Sequence, residues 1–239
     1  MSEVIEILAS SLKNDLRAID HIAQNLANVN TPGYKAISAA GSNGSFEKLL
    51  GQGEAKFHND LSTSTRIDFS SGSLKPSERS LDIAIIGNAF LKVQSGSEVL
   101  FSKNGSLSIS SEGELTDLNG RVILSDQGTI QVSQSGILKI AKNGEVTQNG
   151  TLLGQLDLVS FRDPIQVIRN GDGLLKTSIS NLSEARDWVI HQGYIETSNV
   201  NNTHEMVRMM ELSKHFESVQ KALSVYDQAL GTGINKIGK

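Results

Sequence analysis

The stretch IEILASSLKNDLRAIDHIAQNL, residues 5–26, sets the architecture of the chain. Ile5, Leu8, Leu12, Asp15, Ile19, Ile22 and Leu26 recur at alternating steps of three and four residues. That spacing keeps one line of side chains on a single helix face, so it predicts a helix with an apolar seam, interrupted once by the carboxylate of Asp15. Leu16 and Ala23 widen the stripe beyond a strict seam. The run Asn25-Leu26-Ala27-Asn28-Val29-Asn30-Thr31-Pro32-Gly33 then stops the helix, because Pro32 cannot continue it and Gly33 admits a positive φ. At the other end of the chain, Met209, Leu212, Phe216, Val219, Leu223, Tyr226 and Leu230 repeat the same steps. Asn202 followed by Glu205 reads as a capping box with Asn in the Ser/Thr role, and Gly231 and Gly233 are expected to end this helix. Two helices of roughly 35–40 Å are therefore expected, one at each end.

Between them the period changes. Residues 36–80 are rich in Gly and Ser and read as an extended connector. From Leu81 onward come short apolar or alternating runs: 81–86, 89–94, 98–101, 106–109, 121–124, 129–133, 137–141, 152–161, 165–169 and 188–191. Asn104-Gly105, Asn119-Gly120, Asn143-Gly144, Asn149-Gly150 and Asn170-Gly171 punctuate them with hairpin-type dipeptides. Strands this short and closely spaced predict an antiparallel barrel or sandwich rather than βαβ units. The fold class is thus α+β: long N- and C-terminal helices able to pair along their seams, with an inserted antiparallel all-β domain. There is no strict internal repeat.

Composition narrows the function. The chain has 239 residues, with 22 Lys and Arg against 26 Asp and Glu, a net charge of -4. That balance, with basic residues scattered and not interleaved with aromatics, argues against a nucleic-acid partner or an anionic membrane surface. No run reaches the length of a membrane span. Glu3 and Glu6 near the start, and the absence of a basic leader, give no sign of a cleavable secretory signal. With no cysteine, disulfides, thiolate metal sites and thiol nucleophiles are excluded together.

Candidate chemistry does not assemble. His21, His58, His191, His204 and His215 show no zinc-like pair. His204-Glu205-Met206-Val207-Arg208 begins like a zincin helix, but Arg208 occupies the second ligand position. The run from Asn170 to Thr177 looks faintly like a phosphate loop yet lacks the Gly before its Lys and the following helix, so a turn and a strand are expected there. Asp82, Asp157 and Asp163 are expected to be solvent-facing strand or turn carboxylates rather than a catalytic pair. Asn43, Asn104, Asn149 and Asn201 open formal glycosylation triplets, three of them simple Asn-Gly turns. No catalytic residue, cofactor or metal is assigned.

What remains is architectural. Each terminal helix can hide one seam against the other, leaving Ile22 with Ala23, and Met206 with Met209 and Met210, facing outward. An exposed apolar stripe is normally a partner site. The competing arrangement has both helices lying on the β domain of their own chain.

The residues quoted above resemble those of a known family. Asn25-Leu26-Ala27-Asn28-Val29-Asn30-Thr31-Pro32-Gly33-Tyr34-Lys35 is similar to the N-terminal signature of bacterial flagellar rod and hook proteins. The run from Leu81 to Val93 resembles the strand pair that opens their central domain, departing at Ala89-Phe90, where relatives commonly carry Gly-Phe. Gly193-Tyr194-Ile195-Glu196-Thr197-Ser198-Asn199-Val200-Asn201, followed by Glu205-Met206-Val207, resembles their C-terminal signature. Within the family the length, the compact β region and Arg79-Ser80-Leu81-Asp82 look most like the proximal, F-type rod subunit.

The resemblance implies a non-enzymatic subunit of the basal-body rod, the helical drive shaft that transmits motor torque. It implies export without a cleaved signal by the flagellar type III apparatus, assembly in the periplasm, and partners that are other copies and neighbouring rod proteins in a helical array. It implies that the two long helices form a coiled-coil inner domain and the inserted antiparallel all-β part an outer domain: an inner helix and turn at 1–35, a connector at 36–80, an outer β domain at 81–192 and a second inner turn and helix at 193–239. The N-terminal interface residues are Ile5, Leu8, Leu12, Ile19, Ile22 and Leu26. The C-terminal ones are Met209, Leu212, Phe216, Val219, Leu223, Tyr226 and Leu230. Asn25, Asn28, Asn30, Pro32, Gly33, Ser198, Asn199 and Asn201 form the signature turns. A distal rod subunit or another axial protein of the family is the alternative. A secreted β-rich adhesin with a helical stalk, or a small carbohydrate-active enzyme with two convergent carboxylates, lies further off.

Overall fold

The computed structural model describes residues 2–39, 65–133 and 136–237, with helix side chains at 9–27, 202–226, 228 and 229. Asn43, His58 and the middle of the expected connector fall outside the described residues. The chain divides into two compact units, one made of 1–27, 37–66 and 201–239, the other of 28–36 and 67–200.

The first unit is helical. Helix α1 spans Ser2–Ala27 and helix α2 spans Asn202–Ile237. They pack against each other, and α1 also packs against the short strand β1, Ile37–Ala39, which pairs with β2, Thr65–Ile67. Two sequence expectations about α2 are corrected. Its N-cap is Asn201, one residue earlier than expected: the Asn201 Oδ1 accepts from the His204 N–H at 3.1 Å and its carbonyl from Glu205 N–H at 3.0 Å. Nor does the helix end at Gly231 or Gly233, since it runs to Ile237. A glycine costs a helix only about 1 kcal/mol and keeps its N–H, so two of them do not break the hydrogen-bond ladder.

The second unit is β-rich, and its paired strands are antiparallel. Strand β3 (Leu74–Pro76) lies within the expected connector and pairs with β19 (Tyr194–Glu196). Strand β4 (Ile83–Ile86) pairs with β18 (Val189–Gln192). A ten-stranded sheet is built on β5 (Phe90–Ser95) and β6 (Glu98–Ser102), which form a hairpin around Gly96. Beyond β5 it continues to β9 (Val122–Ser125), then β8 (Leu115–Asp117) and β7 (Leu107–Ile109), while β10 (Gly128–Thr129) also pairs with β9. Its remaining members are β14 (Leu158–Phe161), β15 (Ile168–Arg169), β16 (Leu175–Lys176) and β17 (Leu182–Glu184). A three-stranded sheet joins β11 (Leu138–Ile140), β12 (Glu145–Gln148) and β13 (Thr151–Gln155). One core results, in which Ile83, Leu91, Val93, Leu107, Leu115, Ile123, Val146, Leu156 and Ile190 are buried. Ala89 is fully buried in that core.

The run 152–161 is not one strand but two, interrupted at Leu156, which bridges Ser125. The start of the run 165–169 is a single 3-10 turn, Pro164–Gln166, capped by the Asp163 carboxylate. From 129–133 only Thr129 pairs within a strand, and Gln131 makes a lone bridge to Glu114.

Candidate assembly interface

The helical unit brings the two sequence seams together. Two side-chain contacts fix how. The His215 Nδ1 lies 2.7 Å from the buried Asp15 carboxylate, and the Asn25 amide donates to Glu205 Oε1 at 3.2 Å. Asp15 and Asn25 are ten residues apart on α1, and Glu205 and His215 are ten apart on α2 in the opposite sense. The helices are therefore antiparallel, in a register that sets Asp15 level with His215 and Asn25 with Glu205, which places Leu12, Ile19 and Ile22 about one residue from the levels of Val219, Leu212 and Met209. Alternating steps of three and four read the same in both directions, so seam meets seam along the pair.

Burial follows that register. Ile22 is 2% exposed, which corrects the expectation that it faces outward; it lies near the level of Met209, itself half-buried. Leu12, Ile19, Leu26, Leu212, Phe216, Val219, Leu223 and Tyr226 are half-buried, whereas Ala23, Met206 and Met210 are exposed. The side chains of Ile5, Leu8 and Leu230 fall outside the described residues. Asn25 also holds β1. Its amide donates to the Ile37 carbonyl at 2.8 Å and its Oδ1 accepts from the Ile37 N–H at 2.9 Å, so it stands in for a neighbouring strand.

The signature turns meet in the β unit. Segment 33–36 runs beside 196–199: Gly33 N–H donates to the Glu196 carbonyl at 2.8 Å, Ala36 N–H to Asn199 Oδ1 at 2.6 Å, and Asn199 N–H to the Tyr34 carbonyl at 3.3 Å. Inside this clasp the Lys35 ammonium lies 2.7 Å from Glu196 Oε1, both side chains buried. The same oxygen accepts from Gly72 N–H at 2.9 Å, and Lys35 also donates to the Ser70 carbonyl at 2.8 Å. Arg169 stacks 4.2 Å over the Tyr34 ring and donates to the Lys35 carbonyl. Asn28 holds Thr31 through backbone and side chain, Ser198 Oγ accepts from Val200 N–H, Pro32 is half-buried and Asn30 is exposed.

Gly33 has a φ of 67°, and a Cβ there would stand 2.5 Å from the backbone of Lys103 and Asn104. Alanine at this position is strained twice over, by the positive φ and by the clash. Gly33→Ala is expected to cost the β unit at least about 2 kcal/mol in urea unfolding.

Lys103 is buried beside the clasp. Its ammonium donates to the Gly87 and Ala89 carbonyls at 2.5 and 2.9 Å and sits 5.2 Å above the Phe90 ring. Burial pulls its pKa from 10.5 to about 8, with Glu196 opposing the fall and Lys35 adding to it. Below pH 8 the folded chain carries the full cost of this buried charge. Between pH 8 and 10.5 the folded lysine is neutral while the unfolded one still binds its proton, so stability rises with pH through that window. Urea unfolding of the β unit is expected to show a gain on the order of 3 kcal/mol from this group, and Lys103→Met should remove the pH dependence.

The carboxylates considered for chemistry do not converge. Asp82 is buried, not solvent-facing as expected, because the Ser77 hydroxyl and the Arg79 guanidinium enclose it. Asp157 pairs with Lys92 at 2.5 Å, and Asp163 caps its turn. Asn170–Leu174 is a turn, followed by β16. A cleft of about 540 Å³ is lined by Asn88, Ser160, Arg162, Ser183, Glu184 and Arg186, with Glu184 as its one carboxylate.

The helix seams, the signature turns and the strands that open the β unit have counterparts in known proteins. The family model described as flagella basal body rod protein matches residues 5–35. That for the flagellar hook protein FlgE/F/G D1 domain matches 84–153, and that for the flagellar basal body rod FlgEFG protein C-terminal matches 191–237. The flagellar hook-basal body complex protein FlhO of Bacillus subtilis is 32% identical, over 93% of this chain and 94% of its own. The chain belongs to the flagellar basal-body rod protein family. FlgF of Caulobacter vibrioides is 29% identical over 93% of both chains, and FlgG of Buchnera aphidicola is 29% identical over 87% of this chain and 90% of its own.

As a rod-family protein the chain is a structural subunit of the flagellar basal body, where it assembles with other rod and flagellar proteins. Among its described residues no helix is long and apolar enough to cross a membrane. In the sequence Asp15 stands out as an interruption, but its mate does not. A carboxylate inside an apolar seam requires a donor on the facing helix, and of the α2 residues near that level His215 was the signal to follow. Lys103 and Arg169 carry no such signal, since nothing local in their segments foretells burial.

Proposed function

We propose that this rod-family protein is the proximal, F-type subunit, and that α1 and α2 form the inner coiled-coil domain of a homo-oligomeric helical array while the β unit packs outward against neighbours. The observation that supports the reading is the antiparallel packing of the two helices, with Asp15 bonded to His215 and Asn25 to Glu205 beside the apolar seam positions. A helix pair of this kind is a stiff element, and heterologous contacts that do not close into a ring extend it into a shaft. The chain travels unfolded through the flagellar type III export apparatus without a cleaved signal and assembles in the periplasm, in keeping with the family resemblance. No catalytic step is assigned to it.

FlgF relatives matched over nine-tenths of both chains support the proximal subtype. FlgG relatives at similar identity make the distal rod the second reading. Basal bodies purified from cells arrested before distal rod assembly separate them. A proximal subunit is retained in those particles; its absence there, with presence in complete ones, assigns it to the distal rod.

A further inference from the structure

Two buried ammoniums sit behind the wall of a surface cleft in the β unit. Lys35 donates to the Ser70 carbonyl at 2.8 Å, and the Asn199 amide reaches the same oxygen at 3.1 Å. Lys103 donates to the Gly87 carbonyl at 2.5 Å. Both carbonyls therefore point inward. Among the described residues no peptide bond is cis, and in a planar trans peptide the N–H points opposite to the C=O. The N–H groups of the same two peptides, on Ser71 and Asn88, are thus directed away from the lysines. Neither donates to any described residue. A cation on the carbonyl end polarises the peptide group, which makes each N–H a stronger donor than an ordinary amide. Ser71 and Asn88 line one cleft of about 380 Å³, and the Phe69 and Phe161 rings and Pro164 are its apolar walls.

Asn88 also lines the adjoining cleft of about 540 Å³, which holds Arg162 and Arg186. Their guanidiniums make no ion pair or hydrogen bond with any described residue. The pairing of Val159 with Phe90, continued by two residues, sets Asn88 level with Phe161 and so beside Arg162. Arg186 follows β17, antiparallel to β14, and reaches in from the opposite end near Glu184. Two guanidiniums against one lining carboxylate leave a single positive charge, which suits a monoanion better than a doubly charged phosphate. The Asp163 carboxylate beside Arg162 is committed to its own turn. We propose that the joined clefts bind a carboxylate carried by an apolar group, as at the C-terminal end of a peptide. The carboxylate accepts from the Ser71 and Asn88 N–H groups and pairs with Arg162, while the neighbouring apolar side chain lies against Phe69, Phe161 and Pro164.

The site is built wholly within the β unit, so it stands independently of the helices and of the rod reading. N-acetyl-leucine serves as the probe, with N-acetyl-leucinamide and inorganic phosphate as separate arms, each titrated into the isotope-labelled full chain at neutral pH. The Ser71 and Asn88 amide proton resonances are expected to move downfield and saturate with N-acetyl-leucine. The leucinamide should bind at least about tenfold more weakly, having no charge to offer Arg162. Arg162→Gln should weaken N-acetyl-leucine by a similar factor. This side chain is exposed and bonds no described residue, so the other resonances of the β unit should stay in place and report an intact fold. No saturable shift at Ser71 and Asn88, equal affinity for the amide, or unweakened binding by the Arg162→Gln chain overturns the site. Phosphate bound more tightly than N-acetyl-leucine overturns the assignment to a peptide-type carboxylate.

Discussion

Replacing Glu196 with alanine is expected to destabilise the β unit by about 3–5 kcal/mol, the usual consequence of removing one partner from a buried ion pair. Glu196 and Lys35 are both buried and 2.7 Å apart. Without the carboxylate, the Lys35 ammonium is left to the neutral Ser70 carbonyl, and the Gly72 N–H loses its acceptor. Lys103 loses the charge that now holds its pKa up, so it would titrate below about 8. The double change Lys35→Met with Glu196→Leu should recover much of the loss, since replacing a buried pair by apolar groups of similar size is often close to neutral. Denaturant unfolding of the two variants against the parent measures this. If Glu196→Ala unfolded within about 1 kcal/mol of the parent, the clasp would be incidental to the stability of this unit.

Ile22→Asp is expected to separate the two helices. Ile22 is 2% exposed and near the level of Met209, so the new carboxylate would be buried without a donor. The loss of apolar burial and the stranded charge together cost at least about 4 kcal/mol, more than a helix pair of this size can bear. Circular dichroism should lose much of its helical signal while the β core, centred on residues such as Leu107 and Ile123, stays cooperative. Cells carrying the variant should be non-motile. Leu12→Asp and Phe216→Asp should act in the same direction but less strongly, because both positions are only half-buried. Motility at the wild-type level with Ile22→Asp in place would mean that the seam is not needed for the working rod.

The helices were legible because their signal is periodic and local. Steps of three and four placed Leu12, Ile19, Leu212 and Phe216 on facing surfaces without any knowledge of the partner. The ends were less legible. Asn201 and Asn202 are adjacent and chemically identical, and only the geometry that lets the Asn201 Oδ1 reach the His204 N–H tells them apart. Strands β8 and β12 went unseen, since Leu115-Thr116-Asp117 and Glu145-Val146-Thr147-Gln148 are too short and polar to carry an alternating pattern. Asp82 was misplaced because its burial depends on Ser77 and Arg79, whose side chains turn back on it.

The clasp was marked by family resemblance but not explained by sequence. Lys35 and Glu196 are 161 positions apart, and no periodicity links them. Lys103 stands in a segment, Ser102-Lys103-Asn104, that reads as an ordinary polar turn. Its burial follows from the Gly87 and Ala89 carbonyls that point at it from another strand's end. Long-range electrostatics of this kind becomes visible only once the chain has been folded.

A density map of purified basal bodies tests the central claim most directly. This chain is expected in the rod, its α1 and α2 antiparallel and innermost, with Asp15 facing His215. A map in which those two helices lie apart, or in which the chain is missing from the rod, would contradict it.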